Sequence, residues 1–340
     1  MLRFIEASER YRNTVNKIPR HNWSRLYRVD SIGPEGRLLC FKEGQEGTPV
    51  LVSPPYAGHR STGVDLAKGR SLVGELCEEF ERVYAWDWSS ADHSRRNDGI
   101  AAYVERMNRD IDRIGEPVTL VGVCQGGWQS AMYASLYPEK VKLLVTVAAP
   151  IDFAAPGGLN LYYKNLPYWF YAGLVKMGGG VLDGQYALMG YRMMHATARL
   201  VGDPMDLFWK MYKGQENEII KQLNFISWYE NGVQKLPGQY YLEVIRMFQQ
   251  NKLIKGQMKI GDRKVRLSNI TCPVIIVTGG KDDITGSGQA NALGLYAGTK
   301  QVRYYEIPGV GHFGSFSGAG SMKHWRSSIF GMMREDMCKE

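Results

Sequence analysis

Pro49 to Ser53, Arg82 to Trp86, Val118 to Val123 and Lys142 to Val147 are short, mostly apolar runs, and helix-length segments separate them. A strand that is apolar on both faces must be covered from both sides, so this alternation predicts an α/β fold with a mostly parallel central sheet and helices on both faces. From about Asp152 to Gln250 the strand pattern stops. Tyr163, Tyr168, Trp169, Phe170, Tyr171, Met193, Phe208, Trp209 and Met211 stand out in this stretch, which reads as an inserted helical cap whose aromatics form its own core. Pro273 to Thr278 and Val302 to Ile307 then resume the strand pattern. The predicted organisation is an N-terminal packing arm over 1–45, a core over 46–151 and 252–340, and a cap over 152–251.

Several classes of function are excluded by what the chain lacks. The N-terminal MLRFIEASERYRN has no apolar core of a signal peptide, so a cytoplasmic location is expected. The longest apolar stretch, Leu166 to Leu182, is broken by Lys176 and Gly178 to Gly180, which argues against a transmembrane segment. Cys40, Cys77, Cys124, Cys272 and Cys338 are widely spread, with neither disulfide nor zinc spacing, so no metal is expected. The formal charge of +8 comes from scattered Lys and Arg, a pattern that suits an anionic particle surface better than nucleic acid. Gly178 to Gly180 follow no strand, and the glycine pattern of Gly309 to Gly314 lies too near the end of the chain for a dinucleotide unit. No nucleotide cofactor is expected.

The chemistry is carried by three loops. Gly122-Val123-Cys124-Gln125-Gly126 follows the run ending at Val123 and precedes a helical pattern, which is the G-x-S-x-G nucleophile elbow with cysteine in place of serine. Glycines flank the nucleophile because a sharp strand-to-helix turn leaves no room for neighbouring side chains. A helix N-terminus also stabilises an anionic sulfur, the species that attacks. In α/β-hydrolases the acid and then the histidine come downstream of the nucleophile. Asp282 follows the strand ending at Thr278, with Asp283 as the fallback, and His312 follows the strand ending at Ile307. Cys124, Asp282 and His312 are therefore the predicted triad. The oxyanion donors are predicted as the Gln125 amide and one from Ser53 to His59; prolines cannot donate, which leaves Ala57 or Tyr56. His59, Trp128, Asp283, Phe313 and Trp169 are candidates for substrate contact, although a structural hydrogen bond explains His59 equally well.

The stretches PPYAGHRSTGVDLAKGRSLV, VYAWDW, LVGVCQGG, GKDDITGSGQ and GVGHFGSFSG together resemble the intracellular poly(3-hydroxybutyrate) depolymerases. The resemblance runs over nearly the whole chain after about residue 45. It implies the α/β-hydrolase fold and a cysteine nucleophile at Cys124, with Asp282 and His312 as acid and base. It also implies cleavage of a polyester through an acyl-cysteine, at the surface of polyhydroxyalkanoate granules, with water or coenzyme A as acyl acceptor. The segment from Cys124 to Gly157 instead resembles the polyhydroxyalkanoate synthases, which polymerise 3-hydroxyacyl-CoA; there coenzyme A is released by the acyl donor. The longer loop motifs favour depolymerisation, with synthesis as the alternative, a smaller ester or thioester substrate as a third, and a catalytically silent granule-binding protein as another. A homo-oligomer is compatible with any of these.

Overall fold

A computed structural model describes residues 2–15, 17, 18, 21–194 and 202–338. Its main sheet has eight strands, numbered here β1 (Arg28–Gly33), β2 (Gly36–Glu43), β3 (Val50–Ser53), β4 (Arg82–Trp88), β5 (Val118–Val123), β6 (Val141–Val147), β7 (Val274–Gly279) and β8 (Val302–Ile307). They lie in the order β1-β2-β4-β3-β5-β6-β7-β8. β1 with β2 and β2 with β4 are antiparallel, and the other pairs are parallel.

Period-two alternation divides the core between the two faces. Val50, Val52, Val121, Val123, Leu143, Val145, Ile275 and Val277 join one apolar cluster. Leu51, Trp86, Leu120, Leu144, Val274 and Ile276 join the other. The first face is covered by α2 (Leu72–Glu79) and the C-terminal helical segment around Trp325 and Phe330. The second is covered by α3 (Ile100–Ile114) and α4 (Gln125–Leu136). Every residue of β5 and α4 is buried, so the element pair that flanks Cys124 sits at the centre of the molecule.

Residues 28–43 correct the expected N-terminal arm, because they supply β1, one edge strand of the sheet, and β2, its inner neighbour. An edge strand is half exposed and needs no continuous apolar run, and RVDSIG, with its polar residues, reads as surface. Before them α1 (Leu2–Val15) packs its Phe4 and Tyr11 on Phe208, and Arg10 pairs with Glu216.

The chain leaves the sheet after β6 and builds α5 (Gly158–Asn165), α6 (Tyr168–Met177), α7 (Gly184–Met194), α8 (Asp203–Lys213), α9 (Glu216–Asn231) and α10 (Gly238–Gln250) before β7. A short antiparallel contact of Val181–Leu182 with Leu236–Pro237 ties its two halves together. Among the described residues no helix is long and apolar enough to cross a membrane.

Candidate active site

Cys124 stands between β5 and α4 with φ 51° and ψ −117°, a conformation that L-residues adopt only under constraint. The constraint is visible in its neighbours. A Cβ at Gly126 would lie 2.0 Å from the Ser53 carbonyl oxygen, and one at Gly122 would lie 2.6 Å from that of Gly126. The Cys124 N–H donates to Val147 O at 2.8 Å, and the Gly127 N–H donates to Cys124 O at 2.9 Å. Cys124 is partly accessible, whereas Cys40, Cys77 and Cys272 are buried. Burial pushes the Cys77 and Cys272 thiols up to about 12, which makes them poor nucleophiles.

His312, in the loop after β8, places Nδ1 at 3.1 and 3.0 Å from the two carboxylate oxygens of Asp282. The side chains are 3% and 1% exposed. Asp282 is held in turn by the Ile284 and Thr285 backbone N–H groups, which donate to its Oδ1 at 3.0 and 2.8 Å. Asp283 is exposed, and it is Asp282 that pairs with His312. Burial by itself would lower the His312 pKa. The Asp282 carboxylate and then the Cys124 sulfur outweigh it, and the value stands well above the ordinary range. The imidazole thus faces Asp282 through Nδ1 and interacts with Cys124 as well, the arrangement in which a base takes a thiol proton and keeps it as imidazolium.

Gln125 opens α4, so its backbone N–H has no intrahelical partner. With Ala57, Tyr191, Tyr240 and Val244 it lines a mainly apolar cavity of about 20 Å³ under the cap. That is room for roughly one water. Tyr56 is fully buried, its hydroxyl donates to Ser89 O at 3.0 Å, and its ring packs on those of Tyr103 and Tyr240. The side chain of Tyr56 is therefore core, and it is Ala57 of this loop that reaches the cavity.

Two substrate-contact candidates, His59 and Trp128, are corrected by the structure, and Trp169 stands apart from the cavity. His59 is buried, bonds Tyr229 O through Nε2 at 3.0 Å and stacks among Tyr191, Trp228 and Tyr229. Burial drives its pKa down to about 4, so it is a neutral structural residue. Trp128 is wholly buried in the apolar cluster on the α3–α4 side of the sheet. Trp169 is 73% exposed on α6, beside a shallow apolar hollow it shares with Phe170 and Met177 and outside the cavity at Gln125. Phe313 packs edge-on against His312 and against Phe225 and Trp228, making it a wall between His312 and α9.

Two residues of the site were missed by sequence reasoning. Tyr191 on α7 and Tyr240 on α10 line the cavity, and Gln129 Nε2 of α4 donates to the Tyr240 hydroxyl at 2.8 Å. Buried tyrosines on a cap helix have the same sequence signature as packing residues. Among the described residues no group of three or more His, Cys, Asp or Glu side chains is arranged to hold a metal ion.

Residues 152–340 match the family model described as PHB de-polymerase C-terminus. The chain is 32% identical over 293 residues to a poly(3-hydroxyalkanoate) polymerase subunit PhaC of Synechocystis sp., covering 78% of this chain and 71% of that one. A PhaC subunit of Allochromatium vinosum is 26% identical, with 89% of this chain and 83% of that one covered. Among solved structures, a Paleococcus ferrophilus monoacylglycerol lipase superposes with a TM-score of 0.56 at 17% identity, covering 89% of this chain and 99% of that one. A Bacillus megaterium epoxide hydrolase mutant gives 0.56 at 16%, covering 91% and 100%. These structures establish the α/β-hydrolase fold.

Proposed function

The chain belongs to the family of the PHB de-polymerase C-terminus, and from that premise we propose that it polymerises 3-hydroxyacyl groups, delivered as coenzyme A thioesters, into a polyhydroxyalkanoate. The likeness to PhaC-named polymerase subunits over most of the chain carries this reading. It reverses the direction that the loop motifs favour, because a triad of Cys124, His312 and Asp282 serves synthesis and cleavage alike.

In this reading the Cys124 thiolate attacks the thioester carbonyl, and the oxyanion rests on the Gln125 and Ala57 amides. The carbon–sulfur bond to coenzyme A breaks, and the leaving thiolate takes the proton from His312. A hydroxyl of another hydroxyacyl group then attacks the acyl-cysteine. His312 removes its proton, an ester bond forms, and the Cys124–His312 pair is restored. Asp282 holds the imidazole by its Nδ1 throughout.

His312 is 3% exposed, and the cavity at Gln125 has room for about one water. A cavity of that size admits no acyl chain, and substrate therefore enters as the cap shifts.

Depolymerisation is the second reading, favoured by the family model's description and by the motifs at Asp282–Gln289 and Gly309–Gly318. Supplying 3-hydroxybutyryl-CoA and measuring free thiol and insoluble polymer separates the two. Synthesis predicts both products, and their loss in Cys124→Ala by about four orders of magnitude or more. Soluble hydroxybutyrate released from amorphous poly(3-hydroxybutyrate), with no polymer formed, selects depolymerisation. Binding of granules with neither reaction leaves the silent binder.

A further inference from the structure

Three successive carbonyls of the loop that carries Ala57 accept hydrogen bonds from the cap. The Tyr240 hydroxyl donates to Tyr56 O at 3.4 Å, the long end of hydrogen-bond reach, and the Tyr191 hydroxyl donates to Ala57 O at 3.2 Å. The Gln234 N–H donates to Gly58 O at 2.8 Å. These donors come from α10, from α7 and from the segment between α9 and α10. At Gly58 the contact is closer still: its φ is 91°, and an added Cβ would lie 2.8 Å from the Ala187 Cβ on α7.

A trans peptide unit holds its C=O and its N–H on opposite sides. Turning the Tyr56 carbonyl toward Tyr240 therefore turns the Ala57 N–H the other way. The Tyr240 hydroxyl is itself held by Gln129, one turn along α4 from Gln125, so both oxyanion donors are referred to the same helix. Burial, followed by the neighbouring Tyr56 and Tyr191, keeps the Tyr240 phenol well above its ordinary pKa, and it remains a donor across the working range.

We propose that Tyr240 and Tyr191 are positioning residues for the oxyanion hole, which is armed when the cap docks on residues 56–58 and disarmed when the cap lifts. This rests on the acyl-transfer reading of Cys124. Acyl transfer would then be confined to the state in which the cap has docked again over bound substrate. An opened cap would hold an accessible Cys124 that reacts slowly with esters, so exposure of the thiol during substrate entry would not cost acyl groups to hydrolysis.

The test compares two reactions of one sulfur. Acylation by p-nitrophenyl butyrate passes through an oxyanion and releases p-nitrophenolate. Alkylation by iodoacetamide forms a carbon–sulfur bond and expels iodide without any oxyanion. Loss of a single oxyanion donor lowers a rate by roughly 100- to 1,000-fold, and loss of its orientation should cost less. Tyr240→Phe and Tyr191→Phe are each expected to slow the p-nitrophenolate burst by about 10- to 100-fold at nearly unchanged KM. Alkylation of Cys124, read by mass spectrometry of the tryptic peptide, should stay within about twofold of wild type. Equal losses in both reactions would overturn the proposal, since the tyrosines would then act on the thiolate or the fold. So would an unchanged burst in both variants. Tyr191 is only partly buried, so its variant keeps the test open if Tyr240→Phe folds poorly. A wild-type chain that alkylates at Cys124 yet never acylates would sink the acyl-transfer reading, and this proposal with it.

Discussion

The sheet and the cap meet at one small cavity, but they hold their side of it by different means. On the sheet side the fixing contacts are made by the backbone, such as Gly126 against Ser53, Cys124 N–H on Val147 O and the Ile284 and Thr285 amides on the Asp282 carboxylate. On the cap side many contacts are made by the ends of side chains, the Tyr191 and Tyr240 hydroxyls among them, and Trp169, Met193 and Met177 remain 73%, 72% and 67% exposed. Backbone contacts cannot adjust without unfolding, while hydroxyls and methionines can be remade at little cost. Chemistry that demands fixed geometry is placed on the first side, and access on the second.

The strongest challenge to that division is Asp282→Asn. The rate of acyl transfer should fall by about 100- to 10,000-fold, because a single carboxylate on the rigid side fixes the histidine. The variant also removes the largest influence holding the His312 pKa up, leaving burial to push it down. The basic limb of the pH–rate profile should therefore move to lower pH. The same linkage appears in stability. Because the folded His312 value lies above the unfolded one of about 6.5, the pair stabilises wild type fully below that pH and fades as pH rises through the folded value. A profile unmoved by Asp282→Asn would mean that Cys124 alone sets the charge of His312.

A matched pair of glycine substitutions sharpens the comparison at smaller effect. Gly126→Ala forces a Cβ to 2.0 Å from a backbone oxygen and should destabilise by about 3 kcal/mol, measured by urea unfolding. Gly173 lies within α6, where an added Cβ meets nothing within 4 Å. Gly173→Ala should stabilise the chain by about 0.5 to 1 kcal/mol. Two changes of the same sign would show that cap and sheet do not differ in this way.

What sequence revealed tracks the same division. β5 and β7 are buried along their whole length and read as mostly apolar runs, and the loops of Cys124, Asp282 and His312 announce themselves by glycines at strand ends. β1 was illegible because its edge position leaves it half exposed. His59 and Trp128 misled because a buried polar ring has the same letter as one that touches substrate. Tyr191 and Tyr240 were out of reach for another reason: their partners lie 134 and 184 residues away, and only the folded cap brings them together. The direction of reaction is not written in the triad, since the same three side chains run it both ways.

The backbone at Cys124 has one more consequence, for how this protein would decay. At φ 51° and ψ −117° any side chain is strained by about 1 to 3 kcal/mol, and glycine would relieve it. The fold left to itself prefers glycine where the reaction requires sulfur. Drift released from selection for activity therefore runs downhill at position 124, and a descendant that had abandoned catalysis would be recognised by a glycine there in an otherwise intact, and more stable, molecule.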